Sequence, residues 1–170
     1  MSELQHRSDV DVNYTWDLSV IFKNDDACQD AIEEARKQID AFQSLHQGKL
    51  DSVEHAIKAI DDYRKILETT VLIGTYSNLR LSEDRSDVDA QKLGGLTGNL
   101  QTDLSSKTSF LDSELLQKDD AFLKEIGDTQ PEYANFIADL LRSKPYQLDA
   151  NVEKALASFS SVFAGPYDLY

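Results

Sequence analysis

The chain has 170 residues, 41% hydrophobic and 28% charged, with 31 Asp and Glu against 17 Lys and Arg, for a formal net charge of −14. A chain of this length and composition can bury a core as one domain, or as one piece of a larger protein, and is too apolar for disorder. The acidic balance repels phosphate backbones and anionic lipids, so neither nucleic acid nor a membrane is expected as a partner.

The single cysteine, Cys28, excludes an internal disulfide and fits a reducing compartment. No run approaches the roughly 20 apolar residues of a membrane span. The N-terminus lacks the apolar stretch of a signal peptide. A cytoplasmic protein is the expectation.

Residues 1–12 read as a polar tail and 13–170 as one helical domain. The stretch "NYTWDLSVIF" at 13–22 holds the only tryptophan, Trp16, in an extended lead-in. Trp16, Leu18 and Ile21 or Phe22 are expected to bury in grooves between helices, with Asp17 or Ser19 accepting from nearby N–H groups.

The first helix is expected to start near Asn24, with Asp25 and Asp26 favourable in its first turn. Cys28, Ile32, Ala35, Ile39, Phe42 and Leu45 recur at spacings of three and four, as an amphipathic helix requires. Gly48 ends it. Asp51 opens a second helix, with Glu54 in a capping-box position. Its stripe is Val53, Ile57, Ile60, Tyr63, Leu67 and Val71, continued by Tyr76 and Leu79 over about eight turns. Gly74 weakens it locally or admits a close neighbour.

After a connection at 82–87, a third helix carries Val88, Leu93, Leu96, Leu100, Leu104, Leu111 and Leu115 on a shared side. Gly94 and Gly98 lie four apart and suggest close packing on a neighbour, at about 1 kcal/mol each relative to Ala. A brief helix closed by Gly127 follows. Pro131 then opens another, with Tyr133, Phe136, Ile137, Leu140 and Leu141 as its apolar face. Pro145 breaks the chain, and Asp149 caps a last helix through Val152, Leu156 and Phe159. No strand alternation or long repeat is visible. The pattern predicts an all-α fold of about three long antiparallel helices followed by shorter ones that wrap them.

Chemistry is scarce. His6, His46, His55 and Cys28 are the only soft metal ligands, and Glu54–His55 lacks the second His a turn away that a zincin helix needs. His46 and His55 flank one loop and can approach each other, but a pair is too few for a metal centre. Asp25–Asp26, Asp61–Asp62 and Asp119–Asp120 are adjacent and diverge on a helix. No catalytic, cofactor-binding or metal residue is predicted.

The order of segments carries more. "WDLSVIFKND" at 16–25, "YSNLRLSED" at 76–84, "SFLDSELL" at 109–116, "FIADLLRSKPYQLD" at 136–149 and "KALASFSSVFAGPYDLY" at 154–170 together resemble the N-terminal region of oligoendopeptidase F, a thimet-like zinc metallopeptidase family. Ser113 stands where the family often has Pro, and Gly94, Gly95 and Gly98 where it is Ala-rich.

The resemblance implies a non-catalytic N-terminal helical domain of a larger cytoplasmic zinc metalloendopeptidase that hydrolyses short oligopeptides. The zinc and its H-E-x-x-H helix would lie in a catalytic domain absent from this sequence. Short peptides and that catalytic domain are the implied partners, and the helices would wall a substrate channel. Tyr76, Asn78 and Arg80 are the candidate channel residues. The plainer alternative has Tyr76 packing and Arg80 pairing with Glu83 or Asp84. From a different class, the chain could be a free-standing acidic helical interaction module.

Overall fold

The computed structural model describes residues 9–146. They hold six α-helices: α1 Asp25–His46, α2 Val53–Glu83, α3 Val88–Thr108, α4 Phe110–Gln117, α5 Asp120–Thr129 and α6 Ala134–Ser143. No strand occurs among the described residues, so the fold is all-α. The expected helix beyond Asp149 lies outside the described residues.

Short polar side chains set the helix starts. Asn24 Oδ1 accepts from Ala27 N at 3.0 Å, and Asp119 Oδ1 from Phe122 N at 2.8 Å. Asp87 Oδ1 takes both Asp89 N and Ala90 N, at 2.9 and 3.2 Å. The cap of α2 is Ser52 and not Asp51: its Oγ accepts from His55 N at 3.2 Å. Asp51 instead pairs with Lys118 at 3.7 Å. Gly48 leaves α1 at φ +72°, the left-handed conformation that glycine alone adopts without strain.

The chain divides into two compact units, one ending at Lys118 and the other starting at Asp119. In the first, α1, α2 and α3 pack as an up-down-up bundle. Asp25 at the start of α1 meets Arg80 near the end of α2, while His46 at the end of α1 meets Asp62 near the start of α2. These two helices are therefore antiparallel. Arg36 faces Asp103 at 3.9 Å and Asp40 pairs with Lys107, so α3 runs parallel to α1.

Cys28, Ile32, Ala35, Ile39 and Phe42 of α1 are buried as the spacing requires. Leu45 is 56% exposed, and the neighbouring His46 takes the interior place. In α2 the buried face only partly follows the expected one, of which Ile60 and Tyr76 are buried. Ala56, Ala59, Ile60, Ile66, Thr70, Ile73 and Ser77 point inward, and Val71 is 63% exposed. Two helices that pack on both sides of α2 select small side chains, which hydropathy alone ranks low.

The third helix is interrupted at Ser109, and Leu111 and Leu115 are buried from α4. Ser and Thr side chains crowd the junction and bond back to the main chain, for example Thr108 Oγ1 to Leu104 O at 2.8 Å and Ser113 Oγ to Ser109 O at 3.1 Å. Val88, placed in the expected stripe, is 74% exposed.

In the second unit, α5 and α6 bury Leu123, Ile126, Tyr133, Ile137 and Leu140. Gly127 lies inside α5, which runs on to Thr129, and does not close it. A Cβ there would sit 3.6 Å from Ala134 Cα, an ordinary contact, so the packing of the two helices would accommodate alanine.

The lead-in also departs from expectation. Trp16 is 86% exposed. The segment is two 3₁₀ turns, Val12–Tyr14 and Leu18–Val20, whose hydrogen bonds are local: Asp17 Oδ1 accepts from Ser19 N at 2.9 Å. Phe22, one of the expected anchors, is the residue that seats: its ring meets Tyr76 edge-on with centroids 5.5 Å apart.

Candidate functional site

Helix α2 turns its predicted site residues to two different sides. Tyr76 is buried, 3% exposed, and its hydroxyl donates to Asp25 Oδ1 at 2.8 Å. Arg80, one turn on, donates to the same carboxylate from Nη2 at 2.9 Å and from Nε at 3.0 Å. Its remaining N–H groups reach Glu83 at 3.3 Å and Asp87 at 3.1 Å. One guanidinium thus ties the start of α1, the end of α2 and the cap of α3.

The hub's electrostatics follow from these contacts. The Arg80 hydrogen bonds hold the Asp25 carboxyl below its ordinary value. The Asp25 hydrogen bond holds Arg80 firmly protonated. Burial, with the hydrogen bond to Asp25, pushes the Tyr76 phenol up to about 12. The enclosed Cys28 thiol is pushed up to about 11 by burial, so it is no thiolate nucleophile at neutral pH.

At the opposite end of the α1–α2 seam, His46 is 1% exposed. Its Nδ1 lies 3.0 Å from His55 Nε2, and its Nε2 lies 3.2 Å from Asp62 Oδ2. Burial lowers the His46 pKa despite the carboxylate. Burial also acts to raise Asp62, but hydrogen bonds from Lys58 and His46 prevail and bring it down. The two imidazoles spend their facing nitrogens on each other. Among the described residues no group of three His, Cys, Asp or Glu side chains converges to hold a metal.

Asn78 faces away from the hub. It is exposed, and it lines two adjoining clefts of about 370 and 340 Å³ along the α2–α3 seam. Both clefts also share Gln101. Gly74, Gly94, Gly95 and Gly98 line them. Each such glycine inside a helix destabilises it by about 0.5–1 kcal/mol relative to Ala. None of the side chains lining either cleft is charged.

Thr97, 6% exposed, lines the first cleft, and its Oγ1 is buried with no hydrogen-bond partner. Sequence reading missed Thr97, Gln101 and Gly95. The available signal was the Gly94–Gly98 spacing in α3, which suggests packing on a neighbour; a Cβ on Gly94 would meet Leu81 Cδ2 at 4.0 Å, whereas one on Gly98 or Gly95 would meet nothing within 4 Å.

Comparison with known proteins gives a consistent placement. Residues 114–170 match the family model described as Oligopeptidase F. The chain is 29% identical to Oligopeptidase PepF of Bacillus subtilis over 95% of its own length and 24% of that protein. It is 25% identical to Group B oligopeptidase PepB of Streptococcus agalactiae, over 93% of this chain and 27% of that protein. An Oligoendopeptidase F homolog of Borreliella burgdorferi is 23% identical over 97% and 28% of the two chains. Nearly the whole chain thus corresponds to the N-terminal part of these proteins, and it spans about a quarter of their length. No solved structure matches it.

Proposed function

We propose that the chain is the non-catalytic N-terminal helical part of a cytoplasmic zinc metalloendopeptidase that cleaves short oligopeptides, and that its helices wall the substrate channel. The observation that carries this reading is the near end-to-end correspondence with the first part of several proteins named as oligopeptidases. The metal would supply a polarised carbonyl and an activated water, held by residues outside this sequence.

What this chain contributes is shape and positioning. The Arg80 hub and the His46 network clamp α1 against α2, giving a wall that keeps its form while substrate enters. Of the three candidate channel residues, Asn78 is free to meet a peptide; Tyr76 and Arg80 hold the wall on which it stands.

The test is to express the reading frame extended beyond Tyr170 beside the 170-residue chain. Both are assayed with a fluorogenic oligopeptide and for zinc after dialysis. The extended product is expected to hydrolyse the peptide and retain one zinc, and the shorter chain to do neither. A reading frame that stops at Tyr170, or a longer product without peptidase activity, would favour a free-standing acidic interaction module.

A further inference from the structure

We propose that the α2–α3 seam is a cradle for the main chain of an extended, uncharged stretch of oligopeptide. The inference rests on reading the parent as an oligopeptidase and names where on this chain the peptide lies.

Charge is the first argument. In a chain that is 28% charged, the seam is lined by none. A phosphate, a basic peptide or a metal would find no counter-ion there. A peptide backbone is neutral and carries alternating donors and acceptors. Asn78 and Gln101, at the junction of the two clefts, each present a carboxamide with one acceptor and two donors, which matches that alternation.

Surface relief is the second. Gly95 and Gly98 are glycines where alanine would stabilise the helix and clash with nothing, so packing inside this chain does not call for them. Bare Cα atoms let a second main chain come close.

The third is an unsatisfied hydroxyl. Thr70, Thr102 and Thr108 bond back to the carbonyl four residues earlier, at 2.7, 3.1 and 2.8 Å. Thr97 does not, although it is as buried as Thr70 and Thr108. A buried polar group without a partner is rare in a finished interior. Thr97 lines the first cleft while its Oγ1 is enclosed, so a rotation about χ1 is what would bring the hydroxyl to an occupant. The dimensions agree: from Leu67 to Leu81 the α2 wall runs about 21 Å at ~1.5 Å per residue, room for about six residues of extended peptide at ~3.3 Å each.

The experiment titrates the isotope-labelled 170-residue chain with a capped, uncharged, extended peptide slightly longer than the seam. Amide shifts are followed at Gly74, Gly94, Gly95 and Gly98, with the side-chain amides of Asn78 and Gln101. Saturable shifts confined to these groups are expected. Gly98→Leu fills the seam and should weaken binding by about tenfold or more, with the melting temperature held or raised. Thr97→Val keeps the shape and should weaken binding about tenfold through the lost hydrogen bond.

Absent shifts at millimolar peptide, or binding indifferent to Gly98→Leu, would overturn the proposal. So would shifts produced only by an amphipathic helical peptide, which would make the seam a helix-docking face. In the extended protein, peptidase activity with a KM unmoved by Gly98→Leu sinks the cradle and leaves the parent's activity standing. Peptide binding in the seam of a protein that cleaves nothing sustains the cradle and removes the peptidase.

Discussion

Along the α1–α2 seam, polar contacts tie both ends. Asp25, Tyr76 and Arg80 lock one, and His46, His55 and Asp62 lock the other. The cleft of about 240 Å³ beside His46 is lined by the charged Asp62 and Lys65. Along the α2–α3 seam, four helical glycines line open clefts with no charged side chain, and the Thr97 hydroxyl beside them is buried without a partner. The same helix, α2, supplies one wall of each. The difference lies in which groups are already satisfied. A seam whose donors and acceptors are spent within the chain is architecture. A seam that keeps glycine where alanine would stabilise, and a hydroxyl without a partner, is complete only with something else in it.

The largest expected effect comes from removing the lock. Arg80→Ala leaves Asp25, Glu83 and Asp87 facing one another without their shared cation. The Arg80 and Asp25 side chains are 21% and 23% exposed, so part of the interaction is screened. A loss of about 2–3 kcal/mol in urea denaturation is expected, below the range for fully buried pairs. Asn78→Ala, two residues away on the other seam, should stay within about 0.5 kcal/mol of the parent chain. Equal losses at both positions would break the comparison.

Acid and alkali separate the two ends of the α1–α2 seam. His46 has a folded-state pKa below its ordinary value because it is buried. Its contribution is therefore full above the unfolded value of 6.5 and is lost as pH falls through the folded one. Stability should begin to fall before the carboxylates titrate, and His46→Leu should flatten that early limb. Asp25, also depressed, adds a second loss at lower pH. Tyr76 is raised from 10.0 to about 12, so the stability it holds is full below pH 10.0 and disappears as pH rises through about 12. Tyr76→Phe should remove that share of the alkaline loss, read from denaturation midpoints across pH.

Smaller effects distinguish glycines that the fold needs from those it does not. Gly95→Ala should raise stability by about 0.5–1 kcal/mol, since a Cβ meets only open space and helix propensity improves. Gly48→Ala should lower it by about 1 kcal/mol, because φ is +72° there. Thermal unfolding of the two variants checks the contrast. A fall in both would mean that Gly95 serves packing within the chain.

Much of the architecture was legible because its causes are local. Asn24, Asp87 and Asp119 cap helices by side-chain chemistry that needs no tertiary partner. The α1 stripe was legible because one face meets one core. The α2 face was legible only in part: it is squeezed between two helices, and Ala56, Ala59, Thr70 and Ser77 are inside for their size. The hub joins residues 55 apart in the chain, so the Asp25–Arg80 pair appears only once α1 and α2 are laid antiparallel. The Arg80–Glu83 pair, three residues apart, was foreseeable from helix geometry. The clefts depend on which sides of α2 and α3 face each other, and glycine spacing marked the place without telling packing from vacancy.

The smallest effect concerns the tryptophan. Its size and its place in an apolar run suggested a buried anchor. With Trp16 86% exposed and Phe22 seated on Tyr76, the expected anchor that holds is Phe22, six residues along the chain. Trp16→Ala should therefore change stability by less than about 0.5 kcal/mol, as surface substitutions do. Phe22→Ala should lower it by about 1–2 kcal/mol, less than a fully buried aromatic because Phe22 is only half-buried. Trp16 emission should match indole in water and be quenched freely by iodide. A blue-shifted, protected Trp16 would return the anchor to the lead-in, and the Tyr76 end of the α1–α2 seam would then draw part of its burial from that segment as well as from Phe22.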